Sequence, residues 1–130
     1  MIEYFRRRRL RKAFVDYVFV LGPSLMERYG SYDQYTVKQI LATAETLKLN
    51  TRYIAYAVAL FRREQSENTV KLLGVNQGFL DDLRSEIANS EFDGNINYST
   101  KDVIELSKKA GWHGGPAPEW MANKVGQTSL

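Results

Sequence analysis

The chain reads as an all-α protein: a compact single-domain bundle of five or six helices with an irregular C-terminal tail. Three observations predict this. Apolar residues recur at three- and four-residue spacing along most of the chain. Residues that start and stop helices stand between those stripes. No segment alternates polar and apolar residues over the length of a strand, and there is no internal repeat or low-complexity linker.

Leu10, Phe14, Tyr17, Val18 and Leu21 form the stripe of a first helix, which the Gly22-Pro23 pair is expected to stop. Ser24 is placed to cap a short helix from Leu25 to Tyr29, ended by Gly30. After a loop, Thr36 and Gln39 stand three residues apart, the spacing of a capping box. Behind them, Val37, Ile40, Leu41, Ala44 and Leu47 make an amphipathic stripe. Asn50 or Thr51 is placed to cap the next helix. There, Tyr53 to Phe61 is apolar or aromatic at every position, the pattern of a helix buried on all sides.

A polar stretch from Gln65 to Thr69 leads to Val70, Leu72 and Leu73, and Gly74 follows. Phe79, Leu80, Leu83 and Ile87 define a further helix closing near Asn89. Asp93-Gly94 reads as a turn within a loop from Ser90 to Tyr98. Ser99 and Asp102 then open a last helix through Val103, Ile104, Leu106 and Ala110, ended by Gly111. Gly114, Gly115, Pro116 and Pro118 prevent a helix beyond it, leaving a tail expected to dock through Trp112 and Trp120. The organisation is thus a basic helix start at 1–12, a helical domain at 10–111, and a tail at 112–130.

At 130 residues the chain is long enough for one real core. It has no cysteine, which excludes disulfides, thiolate zinc sites and thiol nucleophiles. The lack of cysteine fits a reducing compartment, and a bacterial cytoplasmic accessory protein suits the size. No stretch reaches the roughly 18 apolar residues of a membrane span. The segment Ala13 to Leu21 carries Asp16 and no small-x-small cleavage pattern follows it, which argues against a secretory signal.

Charge is distributed unevenly. Residues 1–12 hold six cations, Arg6, Arg7, Arg8, Arg9, Arg11 and Lys12, against Glu3, a net of +5. The whole chain totals +3, so the remainder carries −2. Successive helical residues turn by ~100°, so four arginines in a row surround the axis and no core can absorb them all. These six cations are the candidate contact residues. The expected partner is an acidic protein or another polyanion; nucleic acid and an anionic membrane surface fit the same charges. Self-association through shared apolar stripes is also open.

The sequence offers two alternative sites. Ala44, Leu47, Leu49 and Ile54 resemble the framework of a helix-turn-helix, which would turn Asn50, Thr51, Arg52 and Tyr56 toward a DNA major groove. Lys48 stands where such turns commonly have glycine, and the helix after it offers few groups to address base edges. Asn89-Ser90-Glu91-Phe92-Asp93-Gly94-Asn95-Ile96 resembles the first part of an EF-hand calcium loop, with Asn89, Glu91 and Asp93 at ligand positions. It lacks the bidentate glutamate at its end, where Thr100 stands.

No catalytic constellation is legible. Asp81 and Asp82 are adjacent and diverge on a helix, and His113 has no nucleophile or orienting carboxylate tied to it by spacing. No cofactor motif is present. Tyr29, Tyr32 and Tyr35 cluster around a loop, where they form either a core edge or a stacking patch. The expectation is a small non-enzymatic binding protein.

Overall fold

The computed structural model describes residues 2–62, 71–109 and 112, with side chains from Arg8 onward. Among these, the protein is all-α. The helices are α1 (Ile2–Asp16), a π-helical segment (Tyr17–Leu21), α2 (Gly22–Tyr29), α3 (Val37–Thr46), α4 (Ile54–Phe61), α5 (Gln77–Glu91) and α6 (Thr100–Ser107). The expectations for Arg63 to Val70, Gly111, His113 and Trp120 lie outside the described residues.

Gly22-Pro23 does not end the first helix, contrary to the sequence reading. Leu21 (φ −66°, ψ −45°) and Gly22 (φ −55°, ψ −58°) both keep right-handed helical geometry, so helix continues from Ile2 to Tyr29. A proline inside a helix lacks its N–H and crowds the carbonyl four residues back, here that of Phe19. The chain answers with a wider turn, in which the Gly22 N–H donates to the Tyr17 carbonyl, five residues back. A side chain at this position would also be crowded. A Cβ on Gly22 would stand 3.3 Å from the Phe61 ring. The real stop comes at Gly30, whose φ of 97° suits glycine and whose N–H closes back on Met26.

The capping box at α3 forms as expected: the Thr36 hydroxyl accepts from the Gln39 N–H at 3.1 Å, and the Gln39 amide accepts from the Thr36 N–H at 2.9 Å. Val37, Ile40 and Ala44 are buried, while Leu47 turns outward. Neither Asn50 nor Thr51 caps α4. The Asn50 side chain instead accepts from the Arg52 N–H at 2.9 Å, closing a local turn before the helix starts at Ile54. The Asn50 carbonyl receives the Tyr17 hydroxyl. On α5, the Asn76 side chain caps the Phe79 N–H at 2.7 Å. At α6, the Asp102 carboxylate accepts from the Ser99 N–H at 2.9 Å.

Every residue of α4 is buried. It packs against α3, α5 and α6, while the π segment covers the bundle beside α6 and α3. A buried helix end leaves backbone carbonyls that water cannot reach, and each needs a donor. Arg84 on α5 supplies most of them. Its guanidinium donates to the Ala59 and Leu60 carbonyls at 3.0 Å each, to the Ile96 carbonyl at 3.0 Å, and to the Tyr98 carbonyl. The Tyr98 hydroxyl adds a second donor to Ala59 at 3.1 Å, and the Tyr35 N–H reaches the Phe61 carbonyl at 3.0 Å. The guanidinium also lies 3.4 Å from the centroid of the Tyr98 ring, which stacks on Phe92 at 4.2 Å. A cation at the C-terminal end of α4 is further favoured by the helix dipole.

Arg84→Ala removes the donor to the Leu60, Ile96 and Tyr98 carbonyls and one of two at Ala59, and is expected to destabilise the fold by about 3 kcal/mol or more, read by chemical denaturation. Arg84→Lys recovers only part of this, because an ammonium cannot span four carbonyls. Burial holds the phenols of Tyr17, Tyr56 and Tyr98 above the ordinary tyrosine value, with nearby carboxylates adding to the rise at Tyr17 and Tyr56. The unfolded chain releases these protons first, so stability is expected to fall as pH climbs above the normal phenol range near about 10. Absorbance titration checks this: exposed tyrosines ionise in the folded protein, and these three ionise only as it unfolds.

Candidate functional site

The first helix presents two contrasting faces. Leu10, Ala13 and Phe14 are buried in the core, whereas Arg8 and Arg9 are exposed. At ~100° per residue, Arg8 and Arg9 project in different directions from the same turn. Among the described residues, no carboxylate pairs with either. Lys12 is exposed but engaged: its ammonium lies 3.1 Å and 3.3 Å from the two Asp16 oxygens, one turn along the helix. Arg11 is half-buried. The side chains of Arg6 and Arg7 lie outside the described residues. The four described members of the candidate contact set therefore separate into a projecting pair, a self-paired lysine and a half-buried arginine.

The chain past α6 returns to this helix at Trp112. Its indole is buried, with ring centroids 6.4 Å from Phe14 and 5.5 Å from Phe19, and its N–H donates to Glu91 at 3.0 Å. The expected docking through Trp112 is thus present, against Phe14 of α1 and Phe19 of the π segment. Phe19 remains 40% exposed beside it.

The helix-turn-helix alternative divides. Tyr56 cannot face a groove because it is fully buried in α4, against Tyr53 and Glu86. This corrects the sequence reading, and the reason is the enclosure of the whole helix. Asn50, Thr51 and Arg52 are exposed and, with Glu45 and Leu72, border a shallow cavity of about 570 Å³. Lys48 does adopt the left-handed turn conformation, with φ of 58°.

The calcium alternative fails on local geometry. Asn89 and Glu91 belong to α5, which runs two residues further than expected, so they cannot wrap an ion as loop ligands. The Glu91 carboxylate is occupied by Trp112, and the Phe92 and Gly94 N–H groups both close on the Ala88 carbonyl. Asp93 is exposed in the left-handed turn that follows, with φ of 52°. Among the described residues, no three metal-ligating side chains converge. Asp81 lies on the exposed face of α5 and accepts from the Gln77 amide at 2.8 Å.

Sequence reasoning missed two groupings of side chains. Arg84 looked like any surface arginine on an amphipathic helix, since its partners are backbone carbonyls distributed over two other segments. Arg62 follows the buried helix and joins Tyr29, Tyr32 and Tyr35 around a second cavity. Only the three tyrosines carried a signal in the sequence.

Among the described residues the fold defines a small all-α protein built around a buried central helix. The chain belongs to the family of unknown function DUF6559, whose model matches residues 1–129. No curated protein and no solved structure matches the chain. No helix among the described residues is long and apolar enough to cross a membrane.

The Trp112 contact predicts a measurable effect. In a Trp120→Phe background, Glu91→Ala removes the indole acceptor. Trp112 emission is expected to shift to longer wavelength, with a loss of about 1 kcal/mol in stability by denaturation.

Proposed function

We propose that this protein is a non-catalytic binding protein that holds an anionic partner on the exposed cationic face of α1. The observation that carries this reading is the division of that helix: Leu10 and Phe14 lie fully inside the core, while Arg8 and Arg9 stand in solvent. A helix anchored along one side presents its guanidinium groups at fixed positions, which lowers the ordering cost of binding. Guanidinium groups suit carboxylate or phosphate partners through paired hydrogen bonds.

The partner is an acidic protein surface or another polyanion. A nucleic acid is the second reading. It rests on phosphate contacts by α1, because enclosure of α4 removes the reading helix that base recognition would use. Membrane-surface association has less support, since a helix lying in a bilayer interface uses its apolar face, and Leu10 and Phe14 are already committed to the core. A bacterial cytoplasmic setting fits the size and the absence of cysteine.

Two probes test the proposal: poly-L-glutamate and a short mixed-sequence DNA duplex, titrated by fluorescence anisotropy. Binding to at least one is expected at low ionic strength, weakening steeply as salt rises. The double variant Arg8→Glu/Arg9→Glu is expected to reduce affinity by about tenfold or more while the melting temperature holds. Absence of binding to both probes at low salt overturns the reading.

A further inference from the structure

The Trp112 contact brings the end of α6 against one side of the first helix. The Trp112 N–H donates to the Lys109 carbonyl at 3.2 Å, and the indole is seated against Phe14 and Phe19. Counting ~100° per α-helical residue and less in the wider π turn, Phe19 lies about 90–140° around the helix from Phe14. A single ring reaches both only from the side between them. Arg11 and Val15 fall on that side, about 60° and 100° from Phe14. Both are half-buried, as cover from this direction requires. Arg8, at about 120°, projects on the same side, whereas Arg9 projects away from it.

Lys109, one turn before the seated indole, is exposed, and among the described residues no carboxylate pairs with it. Its neighbour Lys108 lies 3.8 Å from Glu105. Arg8 precedes Phe14 by about 9 Å along the helix axis. Two cations without an acidic partner, on separate elements, thus stand around the Trp112 seat, and Phe19 is partly exposed there. The mixture of groups discriminates between polyanions. A nucleic-acid backbone carries dense negative charge, which Glu91 and Glu105 beside this surface oppose, and it has no apolar side chain to meet Phe19. An acidic protein segment spaces its carboxylates and can carry an apolar residue between them.

We propose that Arg8, Lys109 and the exposed edge of Phe19 form one docking surface for an acidic protein segment that carries an apolar residue between its carboxylates. Arg8 and Lys109 receive the carboxylates, and Phe19 receives the apolar side chain. The inference rests on the reading that α1 binds an anionic partner, and it adds two things to it. The end of α6 joins the contact through the Trp112 seat, and Arg9, on the other side of the helix, takes the smaller part.

The probe is a synthetic peptide with one leucine between two runs of glutamate, titrated by fluorescence anisotropy at low ionic strength. It is expected to bind about fivefold tighter than the same peptide with serine in place of leucine. Lys109→Glu and Arg8→Glu are each expected to weaken it by about fivefold, and Arg9→Glu by less. Lys38→Glu, an equal charge change at an exposed position at the start of α3, is expected to leave it nearly unchanged. All four positions are exposed, so the variants should fold, which an unchanged melting temperature verifies. Binding that falls with Arg8→Glu/Arg9→Glu but not with Lys109→Glu keeps the α1 contact and overturns the joint surface. Equal effects of Lys109→Glu and Lys38→Glu, equal binding of the serine peptide, or tighter binding of a mixed-sequence DNA duplex overturn it as well. Absence of binding to every probe overturns both the surface and the reading it extends.

Discussion

Enclosing α4 on every side leaves its last carbonyls without water, and the Arg84 guanidinium is what makes that enclosure tolerable. One side chain reaches the end of α4 and the loop carrying Ile96 and Tyr98, so the same group satisfies a helix terminus and fixes the segment that precedes α6. A buried charge is costly unless its hydrogen-bonding capacity is met. Here the donors meet several carbonyls, and the flat face of the guanidinium rests on Tyr98. The packing of α5 and α6 around the centre depends on this arrangement.

Placing the core in this way determines where function can reside. With α4 inaccessible, the exposed groups considered above lie elsewhere among the described residues: the arginines of α1, the turn before α4, and the loop after α2. The continuous helix from Ile2 to Tyr29 connects two of them. Its π segment keeps the helical path through Gly22-Pro23, and the Phe61 ring lies against Gly22. The arginines stand toward one end and the tyrosine cluster at the other, so a single rigid element carries a charged surface and an aromatic one apart from each other.

Much of the fold was legible in the residues. The apolar run from Tyr53 to Phe61 indicated a central buried helix, and Thr36 with Gln39 marked the start of α3 through a local hydrogen-bond exchange. Gly30 marked the end of α2 by its backbone freedom. The errors came where distant segments decided a local outcome. Gly22-Pro23 has the composition of a stop, but a widened turn pressed against Phe61 carries the helix through it. Asn89 and Glu91 had calcium-loop spacing, yet α5 extends over them and Trp112 takes the Glu91 carboxylate. Tyr56 matched a groove-facing position, and burial of its whole helix withdrew it.

The amino-acid order by itself determined the all-α class, most helix boundaries and the concentration of positive charge at the N-terminal end, because these follow from periodicity, capping and composition within a few residues. Only the tertiary structure decided which charged groups face solvent. Arg8 and Arg84 are the same residue type on amphipathic helices, and one stands in water while the other lies buried beneath backbone carbonyls. The difference arises from what packs against each helix, and that information is spread over segments far apart in the chain.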